Sequence, residues 1–155
     1  TALKIAYIES DSLMTQYKLF KDLKTEIEAE TLKLSLDLKQ REDALKAQYT
    51  SYQSKVQAGN ISYDDARKTE ESLTRQQQQL MQLSEQYTAQ ISEKEYAMSK
   101  RVLDSVTVVV AVLNKEFGYD YVLGYTQGSG ILYADSSHNI TDLVLKSLNE
   151  RYEGK

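Results

Sequence analysis

The sequence predicts an α+β protein that is mostly helical, in which a long antiparallel coiled-coil hairpin protrudes from a small β-body. Three observations support this class: two long stretches with helical periodicity, breaker residues between them, and short β-type segments near both chain ends. The hairpin, or tentacle, is predicted for residues 11–102 with its tip near residues 58–63. Residues 1–10 and 103–155 are predicted to form the body, and residues 1–155 a single unit.

The chain is expected to begin with a short strand followed by the first hairpin helix. Residues 3–8 (LKIAYI) are rich in β-branched and aromatic types, and the polar cluster that follows can cap a helix. From about residue 12 to about residue 57 no glycine or proline occurs. Apolar residues recur there at coiled-coil spacing: Leu13, Tyr17, Phe20, Ile27, Leu34, Leu38, Leu45, Tyr49, Tyr52 and Val56.

Residues 58–62 (AGNIS) contain the turn of the hairpin. Gly59 and Asn60 favour a turn, and Ser62 with Asp65 has the spacing of a helix N-terminal cap. A second helix is predicted from about residue 63 to about residue 117, with Gly118 as its C-terminal cap. Two such helices joined by a tight turn run antiparallel, and at 1.5 Å per residue they make an arm on the order of 70 Å long.

The C-terminal part is predicted to complete the body. Residues 119–126 and 130–134 favour two strands joined as a hairpin, and Asn139 with Asp142 predicts the start of a short amphipathic helix. The valine-rich run at residues 106–112 suits a strand by composition. A helix is preferred because its apolar spacing continues the preceding pattern and no breaker occurs before Gly118.

This body is too small to bury a self-sufficient core, so we expect a cyclic homo-oligomer whose arms all leave on one side. Large half-polar and β-branched side chains are expected at the subunit interface. The predicted oligomerisation residues are Ile5, Tyr7, Val108, Val110, Tyr121, Val122, Ile131 and Tyr133.

The tyrosines around the tip indicate a second kind of surface. The chain has 12 tyrosines, no tryptophan and two phenylalanines, and tyrosine offers apolar area to a variable partner while tolerating water. Packing between the two helices is the first explanation of these tyrosines, and contact with a client at the tip is the second. The predicted client-binding residues are Tyr49, Tyr52, Val56, Ile61, Tyr63 and Leu73.

Catalysis is not predicted. Cysteine is absent, His138 is the single histidine and sits in a predicted loop, and Asp64 with Asp65 fits the negative charge favoured at a helix N-terminus. No enzyme activity, cofactor or metal is therefore expected. Acidic and basic side chains are interleaved and the net charge is −4, which argues against nucleic acid and against an acidic membrane surface or lipopolysaccharide as partners.

Several motifs resemble the Skp (OmpH-like) family of periplasmic chaperones. They are the opening KIAYI (residues 4–8), the long helical hairpin, GYDYVL (residues 118–123), ILYAD (residues 131–135) and ITD (residues 140–142). The resemblance implies a homotrimer with an intertwined β-body and three tentacles around a cavity for unfolded outer-membrane proteins. It also implies that ATP is not used, that the protein is periplasmic and that a signal peptide has been removed.

The leading hypothesis is an ATP-independent holdase that keeps unfolded outer-membrane proteins soluble through weak contacts from several arms. A structural coiled-coil adaptor that binds one folded partner is the main alternative. A prefoldin-like chaperone fits less well, because in that family the chain ends lie at the arm tips, which is the reverse of the arrangement predicted here.

Overall fold

The computed structural model describes residues 2–154, which fall into two compact units. The first, called here the end unit, joins the N-terminal part up to Glu26 with the C-terminal part from Glu95. The second, the hairpin unit, comprises Ile27–Lys94. Thr1 and Lys155, which the sequence analysis assigns to the body, lie outside the described residues.

The described chain is mainly helical, and two of its helices are long. A short 3-10 turn at Ser136–His138 precedes the last helix. The elements are β1 (Ile5–Glu9), α1 (Ser10–Gln16), α2 (Lys18–Gln57), α3 (Tyr63–Phe117), β2 (Tyr121–Tyr125) and α4 (Thr141–Tyr152). The strand predicted at residues 3–8 forms with shifted bounds, at Ile5–Glu9. The structure confirms the helix predicted at residues 63–117 and the helical state of residues 106–112.

The turn between α2 and α3 is closed by backbone and cap chemistry. Gly59 has φ +68°, and Asn60 N donates to Lys55 O at 3.0 Å, which together with Gly59 N to Val56 O forms a Schellman motif. Asp65 N donates to Ser62 Oγ at 3.1 Å and so caps α3, as predicted. Gly118, at φ +66°, ends α3 with its N–H bonded to Asn114 O at 2.9 Å.

Within the hairpin unit, α2 and α3 run antiparallel. Residues of α2 that lie far from the turn pair with residues of α3 that also lie far from it. Pairs nearer the turn are separated by fewer residues in the sequence. The interhelical hydrogen-bonded pairs are Glu30–Gln90, Asp37–Tyr87, Gln48–Gln76 and Tyr52–Glu70. This order establishes the predicted antiparallel hairpin.

The end unit contains a two-stranded sheet and the main apolar cluster. β1 and β2 pair in parallel, with Ile5 opposite Tyr121 and Glu9 opposite Tyr125. On the other side of β1, Ile140 N donates to Tyr7 O at 2.9 Å. The buried cluster combines both chain ends, as predicted: Ile8, Leu13, Tyr17, Leu19, Val102, Val109, Val144 and Leu148.

The predicted β-hairpin of residues 119–126 and 130–134 is wrong for this chain. The turn forms, since Ser129 N donates to Thr126 O at 3.0 Å and Gly128 has φ +84°, but residues 130–134 form no strand. β2 instead pairs with β1, whose opposite side contacts residues 139 and 140. The segment after the turn is therefore left without a strand partner within the described chain.

The first predicted helix is interrupted at Tyr17. This residue is extended (φ −75°, ψ 116°), and its side chain is buried in the end unit. Asn149 of α4 stabilises the break, because its Oδ1 accepts from Lys18 N at 2.9 Å and its Nδ2 donates to Gln16 O at 3.3 Å. A side chain distant in sequence thus satisfies backbone groups that the break would otherwise leave free.

Candidate interaction surfaces

Three of the predicted client-binding residues lie together in the hairpin unit. Tyr49, Tyr52 and Leu73 line a groove of about 620 Å³ between α2 and α3. Leu45 and Leu80 extend its apolar wall, and charged side chains including Glu42 and Lys46 also line it. The groove therefore offers apolar surface within a rim that can bond to a peptide backbone.

The other three predicted client-binding residues lie around the turn and do not line this groove. Tyr63 is 85% exposed at the start of α3, and Val56 is also exposed. Ile61, in the turn itself, is half-buried. The sequence-predicted set thus divides into a groove group and an exposed turn group.

The groove residues differ in how accessible they are. Leu73 is only 8% exposed, because it packs between the two helices. The Tyr52 hydroxyl donates to Glu70, and this bond to a carboxylate, followed by burial, raises the pKa of Tyr52. Tyr49, Val56 and Tyr63 are the most accessible of the predicted set, and they define the surface called here the tip patch.

Polar bonds hold the hairpin together farther from the turn. Asp37 accepts from Arg41 Nε at 2.8 Å and from the Tyr87 hydroxyl at 2.7 Å. The Arg41 bond is the first cause, and the Tyr87 bond the second, of a pKa of Asp37 below its ordinary value. Glu30 is bonded to Lys94 and Gln90 of α3, and the Lys94 bond likewise lowers the pKa of Glu30.

The hairpin unit has further features that the sequence analysis missed. Grooves of about 490 Å³ and about 420 Å³ also lie along its two helices, and serine, threonine and glutamine alternate with leucine on their walls. Leu32, Leu36 and Met81 are exposed. Apolar residues away from the heptad positions were the sequence signal that could have identified this surface.

The predicted oligomerisation residues are partly covered by the chain itself. Tyr7 is buried, with its ring 5.8 Å from that of Tyr125 between centroids, and burial followed by the charge of Glu9 raises the pKa of Tyr7. Val110 and Val122 are half-buried against the core. Ile131 is half-buried, whereas four residues of the set are exposed: Ile5, Val108, Tyr121 and Tyr133.

Two apolar features of the end unit were not singled out from the sequence. Leu132 is 95% exposed beside Tyr133, which is 81% exposed. A groove of about 480 Å³, with Leu13, Met14, Leu103 and other apolar side chains on its walls, lies between α3 and the N-terminal elements. Apolar surface of this kind is typical of interaction sites.

Two kinds of feature are absent from the described residues. Between residues 2 and 154, no cluster of three or more metal-ligating side chains occurs. None of the helices in this range combines the length and the hydropathy that a membrane span requires. What the structure does present is apolar and aromatic surface on both units.

A family model and a solved structure both match most of this chain. The family model described as outer membrane protein (OmpH-like) matches residues 4–148. Among solved structures, a candidate outer membrane chaperone (OmpH-like) from Caulobacter crescentus CB15 is similar with a TM-score of 0.85. The two sequences are 13% identical, and the alignment covers 97% of this chain and 86% of that chain. No curated protein matches the chain.

Proposed function

The chain belongs to the OmpH-like family, and we propose that it is a periplasmic chaperone that holds unfolded outer-membrane proteins without ATP. The observation that carries this proposal is the exposed apolar and aromatic surface of the hairpin unit, where Leu73 is the only buried residue among Ile27–Lys94. The OmpH-like match and the similar fold of the candidate chaperone from Caulobacter crescentus support it.

The hairpin has the surface chemistry that a holdase requires. An unfolded client has no fixed shape, so retention depends on many weak contacts whose effective concentration is raised by their linkage. Tyr49 and Tyr63 offer broad, exposed rings that lose little conformational entropy on binding. Val56, which lies between them in the sequence, adds an exposed aliphatic side chain. The groove lined by Tyr52 and Leu73 adds a partly enclosed apolar site.

Several arms are needed for such retention, and we propose that they come from a homotrimer assembled through the end unit. The exposed members of the predicted interface are Ile5, Val108, Tyr121 and Tyr133. Leu132, which lies next to Tyr133, is almost fully exposed, and a soluble monomer gains nothing from exposing it. Association would remove these side chains from water, at about 25 cal/mol per Å² of apolar area.

A structural adaptor is less well supported. An adaptor that presents a fixed surface to one folded partner needs a rigid, well-packed seam, whereas this seam combines grooves with hydrogen bonds between polar side chains. Such bonds exchange with water at little net cost, about 1 kcal/mol each. The proposed role is non-catalytic, and the net charge of −4 favours apolar over electrostatic capture of clients.

The proposal is tested by diluting an unfolded β-barrel outer-membrane protein out of urea in the presence of the purified chain. We expect the client to stay soluble, in stoichiometric proportion to the chain and without nucleotide, and native mass measurement to give three copies. Aggregation of several different clients at the rate seen without the chain would refute the holdase role. A single copy would refute the proposed assembly.

The tip patch is tested in the same assay with a matched pair of variants. Combined Tyr49→Ser, Val56→Ser and Tyr63→Ser removes three exposed apolar side chains, and we expect client retention to weaken by on the order of tenfold, since each lost contact contributes only part of the binding. The control combines Gln40→Ser, Gln53→Ser and Gln57→Ser, which alter exposed polar side chains of α2. Equal retention by both variants would show that the client binds elsewhere.

A further inference from the structure

The C-terminal half of α3 carries a second line of mainly apolar residues that the chain only partly covers. Tyr96 is 70% exposed and Leu103, seven residues later, is 64% exposed. Val110, another seven residues on, lines the apolar groove of the end unit. Ser99 and Val106 complete a spacing that alternates between three and four residues, which is the a and d spacing of a coiled coil.

These five residues, called here the second seam, lie beside the fully buried face of α3, and two of them, Val106 and Val110, also pack partly against the core. Val102 and Val109 are buried in the core, with Met98 packed beside them. At about 100° per residue, the second seam lies roughly a quarter-turn away from that buried face. This stretch of α3 is therefore apolar on two sides, a pattern that is typical of a helix enclosed by an assembly.

The charges that flank the second seam select a partner. With Tyr96 and Leu103 at a positions, Glu95 occupies a g position and Lys100 the following e position, and both are exposed. In a parallel pair of identical helices, g of one helix faces this following e of the other, so Glu95 meets Lys100. In an antiparallel pair g would face g and e would face e, so Glu95 would not meet Lys100.

We propose that the second seam packs in parallel against the second seam of another copy of this chain. The inference rests on the self-assembly proposed above and names a helical contact that assembly would use. Lys100 Nζ lies 2.8 Å from Asp104 in an exposed ion pair. Because exposed ion pairs are weak, Lys100 can leave Asp104 and pair with Glu95 of another copy. Because the seam is short, it acts together with other contacts between end units and sets the parallel orientation.

The absence of cysteine allows a direct test by disulfide cross-linking of the full chain. Ser99→Cys places a thiol at a d position of the second seam. Ala97→Cys places one at an exposed position well away from it around the helix. Under mild oxidation we expect Ser99→Cys to form covalent dimers on the order of tenfold faster, since paired seams hold the two thiols at high effective concentration.

Charge variants of Ser99→Cys test the parallel register. Lys100→Glu sets Glu95 against a like charge, and we expect slower cross-linking. Adding Glu95→Lys restores opposite charges between copies, and with them the faster rate, although it does not restore the ion pair of residue 100 with Asp104. Rescue by the double change therefore separates contact between copies from a loss of helix stability.

The outcomes separate this inference from the proposed function. If the chain is oligomeric and keeps a client soluble, but Ser99→Cys cross-links no faster than Ala97→Cys, the second seam faces solvent or client and the inference is wrong. Equal rates for the charge variants would refute the parallel register. A monomeric chain would overturn both the inference and the proposed assembly.

Discussion

The end unit and the hairpin unit are stabilised in different ways, although the same two long helices run through both. Among the described residues, Leu73 is the only buried one of the hairpin unit, and every other buried residue lies in the end unit. Hydrophobic burial therefore stabilises mainly the end unit. The hairpin unit relies on helix propensity, on seam residues that are only half-buried, such as Leu38 and Leu83, and on hydrogen bonds between side chains.

This difference suggests a division of labour. Close-packed side chains define one structure, because a change of a single methylene is felt by the neighbours. Polar pairs such as Gln48–Gln76 and Asp37–Tyr87 can open to water at small cost and close again. In the function proposed above, the assembly surface stays fixed while the binding surface adapts to the client.

The largest effect is expected from a cavity in the end unit. Leu148 of α4 is almost completely buried in the apolar cluster, so Leu148→Ala should lower the free energy of unfolding by about 3 kcal/mol. Urea denaturation at fixed chain concentration measures this change. The control Leu36→Ala alters an exposed leucine of the hairpin unit and should stay within about 0.5 kcal/mol. Equal losses would remove the contrast between the units.

A smaller and more local effect is expected from the same change in the hairpin unit. Leu73→Ala should cost about 2 kcal/mol, the low end for a buried leucine, because the adjoining groove already admits water. The open population of the hairpin should rise roughly thirtyfold, and trypsin cleavage near Lys68 reports it. A loss of global stability as large as that of Leu148→Ala would show that the hairpin unit does not open separately.

Two glycines allow the same backbone change in both units. Gly59 and Gly118 both have φ near +67°, and an added Cβ meets no atom within 4 Å at either position. Alanine at either position should therefore cost about 1 kcal/mol through backbone conformation alone. We expect Gly118→Ala to shift global denaturation and Gly59→Ala to increase only cleavage near the turn. Reversed effects would contradict the assignment of stability to the end unit.

The smallest effect is a pH dependence of the hairpin unit. The bonds from Arg41 and Tyr87 depress the pKa of Asp37, so its contribution is present at neutral pH and is lost as the pH falls through this lowered value, below about pH 4. Cleavage of the hairpin should therefore increase as the pH falls, and this increase is called here the acid limb. Asp37→Asn should make the acid limb smaller. Tyr87→Phe, which keeps the Arg41 bond, should flatten it less. An unchanged acid limb would show that these bonds do not stabilise the folded hairpin.

The sequence predicted those features of the fold that local chemistry determines. Gly59, Ser62 and Gly118 end or start helices through dihedral preference and hydrogen bonds to near neighbours, and the structure confirms each of them. The heptad pattern likewise predicted the hairpin. Features that depend on distant partners were missed, since the break at Tyr17 requires Asn149 of α4, more than 130 residues away.

The same limit applies to the candidate surfaces. Residues 130–134 have strand composition, but composition does not identify the partner, and within this chain β2 pairs with β1 instead. Tyrosine clustering identified an exposed tip patch in Tyr49 and Tyr63. The sequence did not show that Leu73, which was predicted to bind clients together with them, is buried, because burial depends on which residue of α3 faces α2.

Native-state hydrogen exchange of the assembled chain can show whether the hairpin unit opens separately from the end unit, because it measures the opening free energy of each segment. We expect amides within Ile27–Lys94 to exchange through local openings, and those of β1, α4 and the end of α3 to exchange only on global unfolding. Uniform protection along both units would contradict this expectation, and would favour a rigid adaptor over an adaptable chaperone.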